Sequence, residues 1–207
     1  AGDFTIDNSC RFNDDDDDNL SFTPDSTTGN DKFVYSAWIK RGNLGTAQVL
    51  IYARSGDDDF TQLSITTDDK LFWYGKVSGS AVMNTETTGV FRDCSSWYHI
   101  VLAYDSAQDA GADRVSLYVN GALADMTPVE YPSEDRVTFF NTDTKPVMIG
   151  CKQDSGSLGS FFDGYMAEVH FIDDLSFFSD ESATANTAFN INSFGETGDY
   201  GEWKPVK

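Results

Sequence analysis

A chain of 207 residues with 40% apolar and 14% aromatic content can close its own core, which excludes a disordered chain despite a mean hydropathy of -0.38. The net charge of -20, from 34 Asp+Glu against 14 Lys+Arg, argues against nucleic acid and anionic membrane as partners, since both demand a basic face, and makes cations the natural partners of this surface. Three cysteines with no CxxC or Cys/His spacing exclude a disulfide scaffold and a zinc site and read as free thiols of a reducing cytoplasm, and no apolar run reaches the ~20 residues of a membrane helix.

In chain order, alternation of apolar and polar residues predicts strands at 9–12, 20–23, 33–40, 49–54, 60–66 and 70–74. Between the first two lies the acidic run 14–18, whose mutual repulsion makes it a loop; two readings stand, a solvated loop or a cation site. At 97–104, Tyr98, Ile100, Leu102 and Tyr104 share one face, with Trp97, His99, Val101 and Ala103 on the other. At 114–119, Val115, Leu117 and Val119 share a face, and Asn120-Gly121 supplies the two positive-φ positions of a type I′ turn leading into 122–126. Further strands are predicted at 137–140, 147–151 and 165–171, the last with Tyr165, Ala167, Val169 and Phe171 opposite Met166, Glu168 and His170. One short helix is predicted at 182–189. Twelve or more short strands imply an all-β fold of two packed antiparallel sheets over 1–178, with 179–207 as a tail laid on it or leading to another module.

Six segments carry a family resemblance: Arg11-Phe12, Leu20-Ser21-Phe22, Tyr35-Ser36-Ala37-Trp38-Ile39-Lys40, Trp97-Tyr98-His99-Ile100-Val101-Leu102, Val115-Ser116-Leu117-Tyr118-Val119-Asn120-Gly121 and Phe162-Asp163-Gly164-Tyr165-Met166-Ala167-Glu168-Val169. In this order they resemble laminin G/pentraxin-like domains of the concanavalin A-like lectin/glucanase class over nearly the whole chain. The resemblance implies a jelly-roll sandwich that binds rather than catalyses. The wording is most similar to modules in structural proteins of tailed bacteriophages, at 33–44, 97–105, 163–173, Ser193-Phe194-Gly195-Glu196-Thr197 and Trp203-Lys204-Pro205. That implies a virion fibre or surface component, made in the host cytoplasm, that recognises a host-surface glycan; a homo-oligomer is compatible with such a place. The alternative it leaves open is a purely structural virion protein that decorates the particle or joins fibre segments, with no sugar site. Where relatives carry Asp-Glu-Val on the last core strand, this chain has Ala167-Glu168-Val169, so no role passes to the missing Asp.

Glucanases of this class place their acids as Glu-x-Asp-x-Glu on one strand, so that alternation aims all three at the cleft. That motif is missing, and Glu168 is followed on its face by His170 and Ile172, so the chain is expected not to be an enzyme. His99 reads as a packed residue, and Trp38 and Trp97 as core. Asp57, Trp73 and Tyr74 are the candidate ligand-binding residues: the two rings, and also Phe161-Phe162, are able to stack on sugar C–H faces, although burial is the commoner fate of aromatics in a sandwich. Pentraxins bind Ca²⁺ through an Asp-Asn pair at the place of Asp57-Asp58-Asp59 and a Glu-Gln-Asp stretch at that of Lys152-Gln153-Asp154. By that resemblance Asp58, Asp59, Gln153 and Asp154 converge as ligands of a Ca²⁺ cofactor, while Lys152, in place of Glu, brings a competing charge.

Overall fold

The computed structural model describes residues 7–173 and 189–206, and among them the only helical pieces are short 3-10 turns. The helix expected at 182–189 lies, apart from Phe189, outside the described residues. Seventeen strands run β1 (Cys10–Phe12), β2 (Leu20–Phe22), β3 (Lys32–Arg41), β4 (Gln48–Gly56), β5 (Asp59–Ile65), β6 (Leu71–Val77), β7 (Ser80–Thr87), β8 (Tyr98–Asp105), β9 (Val115–Val119), β10 (Ala122–Leu123), β11 (Met126–Glu130), β12 (Val147–Ile149), β13 (Lys152–Asp154), β14 (Ser157–Gly159), β15 (Gly164–Ile172), β16 (Gly195–Thr197) and β17 (Trp203–Pro205). A six-stranded sheet, β1-β15-β3-β8-β9-β10, packs on a seven-stranded one, β11-β7-β6-β5-β4-β12-β2, with all pairings antiparallel. This is the all-β fold of two packed antiparallel sheets that the alternation predicts, and the jelly-roll sandwich that the resemblance implies.

The period of two decides which side chains enter the core. Phe33, Tyr35, Ala37 and Ile39 of β3 and Ile100, Leu102 and Tyr104 of β8 face Leu63 and Ile65 of β5 and Leu71 and Trp73 of β6, all at 1% exposure or less. Burying each large side chain is worth about 1.5–3 kcal/mol, so the core is the main source of stability. The alternate residues Val34, Val101, Ala103 and Tyr118 point outward from the six-stranded sheet, yet they too are buried, beneath Phe189, Ile191 and Phe194 of the C-terminal segment. Trp38 belongs to this outer layer and not to the inner core, and Trp97 lies just before β8, partly exposed.

Three strand expectations are corrected. In β15 a bulge inserts Glu168, at φ 47°, between Ala167, which pairs with Trp38, and His170, which pairs with Ser36. Met166, Val169 and Phe171 therefore face the core, while Tyr165 and Ala167 leave the face on which strict alternation puts them. The segment 122–126 is not one strand: β10 ends at Leu123, and the chain then crosses to the other sheet, where β11 pairs with β7. Residues 137–140 form a loop, fixed by Thr138 N–H and Oγ1 donating to the Asn30 carbonyl, both 2.8 Å. Strand β7, which the pattern did not reveal, faces the core with Met83, Thr85 and Thr87 at 1% exposure each; two of its inward positions are threonines, which hide the apolar period.

Candidate functional site

Three turns meet at one end of the seven-stranded sheet. The β6–β7 and β13–β14 turns are both type I′-like, with positive φ at Ser78-Gly79 and Ser155-Gly156. Asp57, in the β4–β5 turn, accepts the Ser155 N–H at 3.0 Å and the Arg54 guanidinium at 2.7 Å. The same guanidinium nitrogen donates to the Gln153 carbonyl at 3.1 Å, and Tyr52 Oη–H reaches that carbonyl at 2.8 Å. Asp58 and Asp59 turn to the other neighbour: the Asp58 carbonyl accepts Gly79 N–H at 3.0 Å and Asp59 Oδ1 accepts Ser78 N–H at 2.8 Å. Asp154 stands 3.7 Å from Lys152 Nζ.

The loops that carry Asp58, Asp59, Gln153 and Asp154 thus converge, while Asp58 and Asp59 bond to the β6–β7 turn and Asp154 stands beside Lys152. Ca²⁺ takes six to eight oxygen ligands, and among the described residues no three acidic, His or Cys side chains stand close enough to hold a metal. Arg54 supplies the cation at the junction instead, so the residues present do not fit the calcium ion that the resemblance implies. The acidic run is likewise tied to the protein: it forms a 3-10 turn, with Asn43 Nδ2 donating to Asp14 at 2.8 Å, Asn13 Nδ2 to Asp16 at 2.6 Å and Asn13 N–H to Asp18 at 3.1 Å.

Trp73 and Tyr74 part company. Trp73 is 1% exposed and stacks within the core against Phe140, so it has no ring face to offer a sugar; Phe162, fully buried against Phe12, is excluded in the same way. Phe161, half-buried, packs on the cluster of Val49, Tyr52, Met148 and Cys151. Tyr74 projects from the outer face of the seven-stranded sheet into a continuous row of rings. It stacks on Phe72 with centroids 5.1 Å apart, meets Phe60 at 5.7 Å, and Phe60 meets Tyr52 at 5.6 Å. Phe60, Phe72 and Tyr74 are half-buried and Tyr52 is buried. Polar side chains on adjoining strands alternate with the rings: Gln62 and Asn84 flank Tyr74, Glu86 lies opposite Phe72 and Lys76 opposite Phe60. Phe60 and Phe72 were not singled out in the sequence, although a signal was there: with Leu71 and Trp73 inward, Phe72 and Tyr74 must share the outer face.

On the opposite side of the sandwich, His99 accepts the Trp203 Nε1–H on Nδ1 at 2.9 Å, and its Nε2 lies 2.8 Å from Ser36 Oγ. Burial, with His170 adding to it, brings the imidazole down to about 4. With Nδ1 occupied as an acceptor, the neutral ring carries its proton on Nε2 and donates to Ser36, so it cannot take the serine proton, and the pair is not a nucleophile with its base. Glu168 contacts His170 at 3.2 Å, and among the described residues no second acid lines the cavity it faces, where a retaining glycosidase would need one.

A sequence model described as the concanavalin A-like lectin/glucanases superfamily matches residues 14–176. Among solved structures, a putative carbohydrate binding protein from Bacteroides ovatus is similar at TM-score 0.59 and 20% identity, covering 88% of this chain and 46% of that one. The native heptameric SAP-like pentraxin from Limulus polyphemus aligns at 0.54 and 15% identity over 75% of this chain and 70% of that one. The CBM40 of the Ruminococcus gnavus IT-sialidase aligns at 0.53 and 13% over 82% and 94%. Identities this low speak to fold alone. No curated protein shows a significant match to the sequence.

Proposed function

The chain belongs to the concanavalin A-like lectin/glucanases superfamily, and on that premise we propose that it is a non-catalytic module that binds a glycan on the outer face of its seven-stranded sheet. The observation that carries this is the row Phe72–Tyr74–Phe60, half-buried rings in mutual contact and bordered by Gln62, Asn84, Lys76 and Glu86. Apolar ring faces take sugar C–H surfaces, and the amide and charged side chains beside them suit sugar hydroxyls. A putative carbohydrate binding protein and a CBM40 bound to sialyllactose share the fold, which supports the class of ligand. With a net charge of -20 a neutral glycan is favoured over a sialylated one.

The test is retention on arrayed or immobilised neutral polysaccharides. Phe72→Ala/Tyr74→Ala is expected to weaken binding at least about tenfold, or about 1.4 kcal/mol, while leaving the fold intact, because neither ring is in the inner core. Undiminished retention by the double variant removes this face from the account, and release of reducing ends from any bound glycan removes the non-catalytic reading.

The finer reading places the module on a phage fibre or particle surface, where it recognises a host-surface glycan. It rests on the resemblance of 33–44, 97–105 and 163–173 to tailed-phage structural modules. Binding to intact bacterial cells, competed by their purified surface polysaccharide, is its test.

A further inference from the structure

The outer face of the six-stranded sheet holds a cavity of about 340 Å³ between β3, β8 and β15 on one side and residues 193–194 and 205–206 on the other. Its walls include Trp38, Ile172, Phe194 and Pro205, and its charge comes from Glu168, with His170 beside it; among the described residues no Lys or Arg lines it. The size is at the small end of ligand sites, which suits one compact molecule and not a glycan chain.

Glu168 reaches this cavity by a strained route. It is the extra residue of the β15 bulge and sits at φ 47°, a left-handed conformation that costs a non-glycine residue about 1–2 kcal/mol. Without the insertion, alternation after Ala167 turns residue 168 toward the inner core and residue 170 with it. The bulge therefore places a carboxylate and an imidazole, 3.2 Å apart, on the outer face among aromatic and aliphatic walls. Of the ten described non-glycine residues with positive φ, Glu168 alone lies inside a strand, and strain retained there points to a use for its side chain. The chemistry of the walls selects the ligand's charge: an anion meets Glu168, no lining Lys or Arg among the described residues and a molecule of net charge -20, whereas a cation gains a counter-ion and aromatic ring surfaces together.

We propose that this cavity binds a small organic cation, a primary or quaternary ammonium on a compact apolar body, with Glu168 as its counter-ion and Trp38 and Phe194 as aromatic walls. The site lies on the other sheet from the glycan face and does not depend on that reading.

The experiment titrates choline, n-butylamine and dimethylbutanol, the uncharged carbon isostere of choline, into the whole chain by calorimetry and thermal melting. The cations are expected to bind and raise Tm, and the isostere to bind at least about tenfold more weakly. Glu168→Gln and Glu168→Asn are expected to lower choline affinity by a similar factor; asparagine tolerates the left-handed backbone, so loss of binding there reports the missing charge and not a broken bulge. Glu168→Gly relaxes that backbone and is expected to hold or raise Tm while abolishing choline binding. Retention on glycan should be unchanged in all three variants, which separates this site from the aromatic face. Equal binding of choline and its isostere, undiminished binding by Glu168→Gln, or no binding of either cation overturns the proposal.

Discussion

At Gly121 the backbone runs at φ 79°, beside Asn120 at 50°, and an added Cβ would meet Trp203 Cε3 at 2.4 Å. The glycine thus serves the turn and also makes room for an indole that sits against His99 from 104 residues further along the chain. Gly121→Val is expected to cost about 2–4 kcal/mol, from left-handed strain plus the clash, and to shift tryptophan emission as Trp203 is displaced. An unchanged melting temperature and spectrum refute both roles. At His99, burial holds the pKa near 4, below its ordinary 6.5. Between those values the unfolded chain binds a proton that the folded chain refuses, so stability is full above pH 6.5 and falls as pH falls through the window toward 4. The loss attributable to this group approaches about 3 kcal/mol at the acid end. Urea unfolding across the window is expected to show a flatter pH dependence in His99→Gln than in the parent; parallel curves rule the assignment out.

Elements meet through a few polar clasps as well as through the core. Arg41, at the end of β3, is buried with its guanidinium 2.9 Å from Asp69 Oδ1 and 2.6 Å from the Phe91 carbonyl, and Arg92 closes on Asp69 Oδ2 at 2.8 Å. Burial pushes the Asp69 carboxyl up, but the Gly45 N–H, Arg92 and Arg41 together outweigh it and bring the group down to about 2. The β5–β6 turn is thereby tied to β3 and to the loop before β8. Asp69→Asn keeps the shape and the left-handed backbone but leaves the Arg41 charge buried without a counter-ion, at an expected cost of about 3–5 kcal/mol in chemical unfolding. A loss below about 1 kcal/mol shows the cation to be solvated and the clasp unimportant.

For the molecule as a whole, a net charge of -20 opposes compaction, and added salt screens that repulsion. Sodium chloride is expected to raise Tm. Because Arg54 holds the place between Asp57 and the Gln153 carbonyl, calcium chloride at matched ionic strength is expected to raise it no further. A surplus shift from calcium, which a specific ion at 100 times its Kd sets at about 2.7 kcal/mol, reveals a site that the described side chains do not form.

The sequence by itself determined the class of fold, the faces of β8 and β9, the Asn120-Gly121 turn and the lack of a Glu-x-Asp-x-Glu acid set. Each of these follows from residues within a few positions of one another, where the covalent period of two and the φ requirements of a turn leave little choice. Only the tertiary structure decided that Glu168 is an inserted residue, that Trp73 is core while Tyr74 is surface, that 122–130 divides between two sheets, and that Asp58 and Asp59 bond to the β6–β7 turn and not to Gln153 and Asp154. The same is true of Trp203, whose partner His99 no local pattern indicates. A bulge, a sheet crossing or the aim of a turn carboxylate is set by hydrogen bonds to strands and turns distant in sequence, and the local alternation is the same whichever way those bonds are made.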